Sequence, residues 1–266
     1  MADTLTGIVL YTRQYKDNDL LVHMLTQEVG LQTFLARGAK KPKSKLTVGT
    51  QPFTLVTFLG ALPKRGGGLG YLNDVQAAQH FPELTENLTA NAYATLIGSL
   101  LDAAFDEGVA LPKWFTQLTI VLNKFQAGLD PQILANIFEI QLLPEFGVPV
   151  NWRADPIDGQ MDGEFDYSEK FNGVLGAQHY DLDEHRLQVT PKAMYYLRLF
   201  SAVDLTKVNT INIAPSVKRE IQRVIDHIYE RQIGLKPRAK QFIEQMQAWD
   251  NQIANIPKRA PKGDEA

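Results

Sequence analysis

The chain has 266 residues, 44% hydrophobic and 21% charged, and no cysteine. That length supports a sizeable core in more than one domain, and the lack of cysteine excludes a disulfide framework, a thiolate metal site and a cysteine nucleophile. The net charge of −3 hides a segregation. Nine Lys/Arg stand against five Asp/Glu over residues 1–80, two against eight over 81–150, three against nine over 151–190, and thirteen against eight over 191–266. A basic head and tail around an acidic middle point to nucleic acid or another acidic partner. No run of about 18 apolar residues marks a membrane span, and Met1-Ala2-Asp3-Thr4 lacks the features of a secretory signal. A cytoplasmic protein with no membrane partner is expected.

The first 80 residues read as β. Gly7 to Arg13, Leu20 to Thr26, Leu31 to Ala36, Phe53 to Leu59 and Leu69 to Val75 are short runs rich in apolar and β-branched residues, broken by Lys16-Asp17-Asn18-Asp19, Gly30 and Gly66-Gly67-Gly68. Five short strands in so few residues suit a small closed barrel, because closure removes exposed edges. An OB-like barrel fits best and an SH3-like barrel second.

Between the third and fourth runs lies Arg37-Gly38-Ala39-Lys40-Lys41-Pro42-Lys43-Ser44-Lys45, with no acid anywhere from Val29 to Asn73. Five like charges on a short, mobile connection repel one another and suit a polyanion, although a solvated basic turn has the same composition. The candidate DNA contacts are Arg13, Lys16, Arg37, Lys40, Lys41, Lys43, Lys45, Lys64 and Arg65. Aromatics interleave with them, as single-strand binding by stacking requires; Tyr11, Tyr15, Phe34 and Tyr71 are the candidates for base stacking. Phe53 and Phe58 read as core.

From Pro82 the apolar period becomes helical. Leu88, Ala92, Leu96, Leu100 and Ala104 share one stripe, and Phe115, Leu118, Val121, Leu122 and Phe125 a second after Pro112. Asp130-Pro131 caps a third helix through Ile133, Ile137 and Ile140. Residues 149–189 are acidic and rich in Gly and Asp, with short β-like pieces. Helices resume at Thr190-Pro191, near Pro215 and near Pro237, the last with Phe242, Met246, Trp249 and Ile253 on its apolar face. Lys218, Arg219 and Arg223 offer a second basic patch, although Glu220, Asp226 and Glu230 nearby favour an ordinary solvated helix face. The expected fold class is α+β: an OB barrel over 1–80, then a helical domain over 81–266 that contains the acidic region and ends in a disordered tail at 255–266.

Catalytic chemistry is not in view. The five histidines are scattered, and the chain has no HExxH, GxSxG or Walker motif. Gly66-Gly67-Gly68-Leu69-Gly70 precedes a strand, so no helix N-terminus would face a phosphate there. Asp155, Asp158, Asp162, Glu164 and Asp166 do not keep EF-hand spacing. No enzyme activity, cofactor or metal is expected.

Gly7-Ile8-Val9-Leu10 with Arg13, Asn18-Asp19, Leu25-Thr26, Gly30, Ala36-Arg37-Gly38-Ala39-Lys40-Lys41-Pro42-Lys43-Ser44 and Gln51-Pro52-Phe53 together resemble the RecO family of bacterial DNA repair and recombination mediators. Leu69-Gly70 with Leu72-Asn73, Ala92-Tyr93-Ala94, Ile137-Phe138-Glu139 and Leu142-Leu143 with Gly147 extend the resemblance over most of the chain. It implies binding of ssDNA and dsDNA, strand annealing, and cooperation with RecR and single-stranded-DNA-binding protein in loading RecA. A protein adaptor for the same partners and an RNA-binding barrel are the alternatives. Many members of the family carry a four-cysteine zinc site, whose positions here hold Asp155, Asp158, Gly176 and His179. This set implies no zinc, and a mobile loop in its place.

Overall fold

The computed structural model describes residues 3–63 and 68–254, with side chains to 249. Lys64, Arg65 and the expected tail at 255–266 lie outside the described residues.

Five strands form the N-terminal unit: β1 (Asp3–Gln14), β2 (Leu20–Thr26), β3 (Gly30–Ala36), β4 (Leu55–Ala61) and β5 (Gly70–Gln79). They close into a barrel in the order β1-β2-β3-β5-β4, the OB-like arrangement. β1 is long enough to serve two partners: its first half pairs with β4 and its second with β2, with an irregularity between Val9 and Tyr11. β3 and β5 meet in parallel at Phe34↔Gly70 and Leu35↔Tyr71. Leu5, Val9, Val22, Met24, Phe34, Val56, Phe58 and Leu72 fill the barrel, with Phe34 and Phe58 edge to face at 5.1 Å. The fourth strand begins two residues later than the sequence suggests. Phe53 sits in a turn at φ 59° and donates its N–H to the Val9 carbonyl at 2.7 Å, while its side chain joins the helical core.

The helical part runs α1 (Pro82–Glu86), α2 (Leu88–Ala104), α3 (Pro112–Gln126), α4 (Pro131–Leu142), α5 (Pro191–Ala202), α6 (Pro215–Ile228) and α7 (Arg238–Ala254). Side-chain caps start three of them. Asn87 accepts from Ala90 N, Asp130 from Gln132 N and Ile133 N, and Thr190 from Ala193 N. Their apolar faces build one large core, which also takes in Ile8, Leu10, Leu25 and Leu31 from the barrel's outer face. At this seam Gly108 N donates to Leu31 O at 2.9 Å. A Cβ on Gly30 would lie 1.8 Å from the Val109 carbonyl oxygen, so only glycine permits the approach.

Two expectations are corrected here. In α7, Phe242 and Trp249 face outward at 41% and 63% exposure, and Leu88 at the start of α2 is 60% exposed. The buried face of α7 is instead Lys240, Ile243 and Met246. Lys240 Nζ reaches 2.7 Å from Asp226 of α6 and 4.0 Å from Glu139 of α4. These are charge contacts, since Nζ lacks an aligned hydrogen bond. The second correction concerns the acidic region, which is a packed unit and not a loose loop. β6 (Phe165–Ser168) and β7 (Gly173–Gly176) form a hairpin, and Phe165, Tyr167 and Val174 belong to the large core. Asp166 is buried and accepts from Tyr167 N, Gln188 N and Val189 N. Among the described residues no helix is long and apolar enough to cross a membrane.

Candidate nucleic-acid interface

The sheet register puts the end of β1, the start of β2, the end of β3 and the start of β5 at one end of the barrel: Gln14 pairs with Leu20, Leu20 with Ala36, and Leu35 with Tyr71. The β1–β2 turn and the basic stretch after β3 therefore share one rim. The basic stretch is anchored, contrary to the mobile connection its charge suggests. Ala39 and Leu46 drop into the barrel interior, and Thr47 Oγ1 donates to Ala39 O at 2.7 Å. Internal turns run from Lys41 N to Gly38 O and from Ser44 N to Lys41 O. The lysines are left outside.

Arg13, Lys16, Arg37, Lys40, Lys41, Lys43 and Lys45 are all exposed. Among the described residues none of them has a carboxylate oxygen within 4.0 Å. Three sit over aromatic rings: Arg13 over Tyr11 at 5.0 Å, Lys16 over Tyr15 at 5.6 Å and Arg37 over Tyr71 at 5.1 Å. Unneutralised cations beside flat rings can track phosphates and stack bases.

The four stacking candidates divide. Tyr15 and Tyr71 are 49% and 38% exposed. Phe34 has no exposed surface and is a barrel-core residue, which corrects its assignment. Tyr11 is partly buried, stacked on His23 at 4.8 Å, with its hydroxyl donating to Asp102 at 3.3 Å. That contact belongs to the seam between barrel and helices. His23 Nδ1 is 2.9 Å from Thr33 Oγ1, and Nε2 lies 2.9 Å from Asp102, close but not aligned as a hydrogen bond. The His23 ring holds the Asp102 carboxyl below the ordinary carboxylate range. The helices thus cover the outside of β2 and β3, the face an OB barrel commonly offers to oligonucleotides.

The second basic patch is largely committed. Lys218 pairs with Asp130 at 2.7 Å, and Arg223 donates to Leu187 O at 3.0 Å and lies 3.8 Å from Glu220. Arg219 stays exposed. What sequence reasoning missed is the set of residues that fixes the basic stretch. Gly38 N donates to Asp19 Oδ1 at 2.8 Å, Lys40 N to Asn18 O at 3.1 Å, and Lys40 Nζ to Gln14 Oε1 at 2.9 Å. In the sequence Asn18-Asp19 reads as a chain break and as part of the family resemblance, not as an anchor for the basic stretch.

Asp155, Asp158 and His179 bring three ligand-type atoms within 4.8 Å of one another. They do not fit a structural zinc. Asp155 is already engaged on both oxygens: Oδ1 accepts from Ile157 N, and Oδ2 meets Gly176 N at 2.6 Å and His179 Nδ1 at 3.0 Å. Asp158 accepts from Gln160 N and Gln178 Nε2, and Gly176 has no ligand to give. A closed zinc site asks for thiolates and imidazoles.

The geometry defines a class first: a small OB-type barrel with an unpaired basic rim, fixed by its sheet face to a helical body. The sequence comparisons then give the family. Residues 1–81 match the family model described as Recombination protein O N terminal, and residues 85–241 the one described as Recombination protein O C terminal. DNA repair protein RecO of Leuconostoc mesenteroides is 60% identical over 250 residues, covering 94% of this chain and 96% of the relative. That of Leuconostoc citreum is 57% identical over 252 residues, 95% and 96%, and that of Limosilactobacillus reuteri 38% over 251 residues, 94% and 95%. The chain belongs to the RecO family, whose role lies in DNA repair.

Proposed function

We propose that the chain binds single- and double-stranded DNA at the barrel rim without reading sequence, and anneals complementary strands. In this reading it works with RecR to help RecA onto DNA held by single-stranded-DNA-binding protein. The observation that carries the reading is the rim itself: seven exposed cations on anchored backbone, unpaired among the described residues. Phosphate contacts of this kind supply affinity through counterion release and carry no sequence information. Neutralising two strands on one rim lowers their mutual repulsion, which is what annealing needs. The reading assigns the chain no catalytic step and no cofactor.

The test is to replace Lys40, Lys41, Lys43 and Lys45 together by alanine and measure oligonucleotide binding against salt, together with annealing of two complementary strands. Binding should weaken, annealing should be lost, and the salt slope should fall by about three to four phosphate contacts' worth. A variant with wild-type affinity and slope overturns the reading.

A second reading, protein docking, draws on a groove of about 810 Å³ in the helical part, lined by Leu143, Trp152, Tyr195, Lys113 and Arg153. An apolar floor with cations at its edge suits an acidic tail such as that of a single-stranded-DNA-binding protein. Arg153→Glu should weaken capture of an acidic peptide and leave oligonucleotide binding unchanged; equal peptide binding by the variant removes this reading.

A further inference from the structure

One acid touches the basic stretch among the described residues. Asp19 reaches from the β1–β2 turn and accepts the Gly38 N–H at 2.8 Å, across 19 positions of sequence. The neighbouring Asn18 carbonyl takes the Lys40 N–H at 3.1 Å, and Gln14 takes the Lys40 ammonium at 2.9 Å. The turn itself is closed by Tyr15 N to Asp19 O and Asp19 N to Lys16 O. Lys16 and the stretch from Arg37 to Lys45 are thereby held as one surface.

We propose that Asp19 is a positioning residue for nucleic acid on this rim: a negative side chain that strengthens the binding of a polyanion. The inference rests on reading the rim as a DNA interface. By charge alone Asp19 opposes such a ligand. That opposition is one charge against the seven exposed cations of the same rim. The benefit is structural. A charged acceptor makes a shorter and stronger bond to a backbone N–H than a neutral one. Ala39 and Leu46 hold the later part of the stretch; without Asp19 its first turn, around Arg37 and Gly38, would have to be ordered when DNA arrives, and ordering at that moment lowers affinity. Asp19 performs this ordering in advance.

Two substitutions with the same change of charge separate the two effects. Asp19→Asn removes the charge and keeps an oxygen acceptor; Asp19→Ala removes both. Single-stranded oligonucleotide affinity and its salt slope are measured for each beside wild type and the four-lysine variant, with thermal melts as the fold control. D19A should bind about three- to tenfold more weakly than wild type, the lost charge-assisted bond being partly offset by removal of the opposing charge, with a shallower salt slope and a melt close to wild type. D19N should fall between D19A and wild type, because the neutral amide oxygen accepts the same bond more weakly. If D19A binds as tightly as D19N, or both variants bind at least as tightly as wild type, the inference is overturned.

The four-lysine variant keeps the two levels apart. If it loses binding while D19A and D19N match each other, only the role of Asp19 falls. If it binds as wild type does, the interface reading falls and this inference with it. Amide exchange in the free wild-type protein gives a check that does not depend on how any variant folds. Gly38 and Lys40 N–H should be protected, and exchange at the rate of an open loop overturns the inference.

Discussion

Asp155 Oδ2 lies 3.0 Å from His179 Nδ1, and this contact holds the two ends of the acidic region together. Each partner shifts the other's titration. The bond to Asp155 pulls His179 above the ordinary imidazole range. Burial pushes the Asp155 carboxyl up, but the bonds from His179, Ile157 N and Gly176 N outweigh it and leave the group below the ordinary carboxylate range.

The sign of the pH dependence follows from linkage. The His179 contribution is fully present below its unfolded value of about 6.5 and is lost as pH rises through the raised folded value. The Asp155 contribution is present above its unfolded value of about 3.9 and is lost as pH falls through the lowered folded value. The region should therefore be firmest between about pH 4 and pH 6.5. Thermal melts across pH should fall away on both sides of that window, and His179→Gln should remove the alkaline decline. An alkaline decline that survives in the variant contradicts the assignment.

Asp155→Ala should cost roughly 2–4 kcal/mol, because it orphans the N–H groups of Ile157 and Gly176 in a buried site. A Cβ at Gly176 would lie 2.7 Å from Asp155 Oδ2, so Gly176→Ala should also destabilise the wild type. In the Asp155→Ala background that clash is gone. Urea titrations of the cycle should give a double variant less destabilised than the sum of the singles; strict additivity would show that the two positions do not meet.

Lys240 is 5% exposed and stands between Glu139 and Asp226. Burial pushes both acids up, against the pull of Lys240. Lys240→Met should cost about 3–5 kcal/mol near neutral pH, since it leaves the two acids without their cation. The loss should shrink as pH falls, because the acids become neutral by taking up protons. Guanidinium unfolding at two pH values checks both size and direction.

Phe34 and Tyr71 lie at adjoining register positions of β3 and β5, the first buried and the second exposed. Phe34→Ala should destabilise the barrel by about 3–5 kcal/mol. Tyr71→Ala should leave stability near wild type and weaken single-strand binding by about 1–3 kcal/mol, the range for one stacked base, with a smaller effect on duplex. Parallel melts and titrations read the contrast, and equal weakening for both DNA forms would remove Tyr71 from base stacking.

Much of this fold is written in short-range signals. Asp130-Pro131 and Thr190-Pro191 announce their helices because a cap needs only a side-chain oxygen and its own next turn. The strand runs are legible through composition alone. The choice between Phe242 and Ile243 for the buried side of α7 is not. Both satisfy the helical period, and the outcome depends on the acids of α4 and α6 that draw Lys240 inward. Phe34 could not be told from a ligand-facing aromatic, because β3 is buried on both faces and alternation carries no information there. The basic stretch displays its cations openly, but the bond that fixes it joins Asp19 to Gly38 across a gap that no local pattern spans. The packed Asp155 unit was hidden for the same reason: its donors at Gly176 and His179 arrive from beyond a hairpin.

Helices and the loop after α2 cover the outer side of β2 and β3, which removes that face of the barrel as a platform for a long polymer. On the proposed reading, a strand held by the cations would meet the barrel at its tip and touch down over only a few nucleotides. Most bases of a long strand would then stay uncovered, free to meet a second strand while the backbone is held.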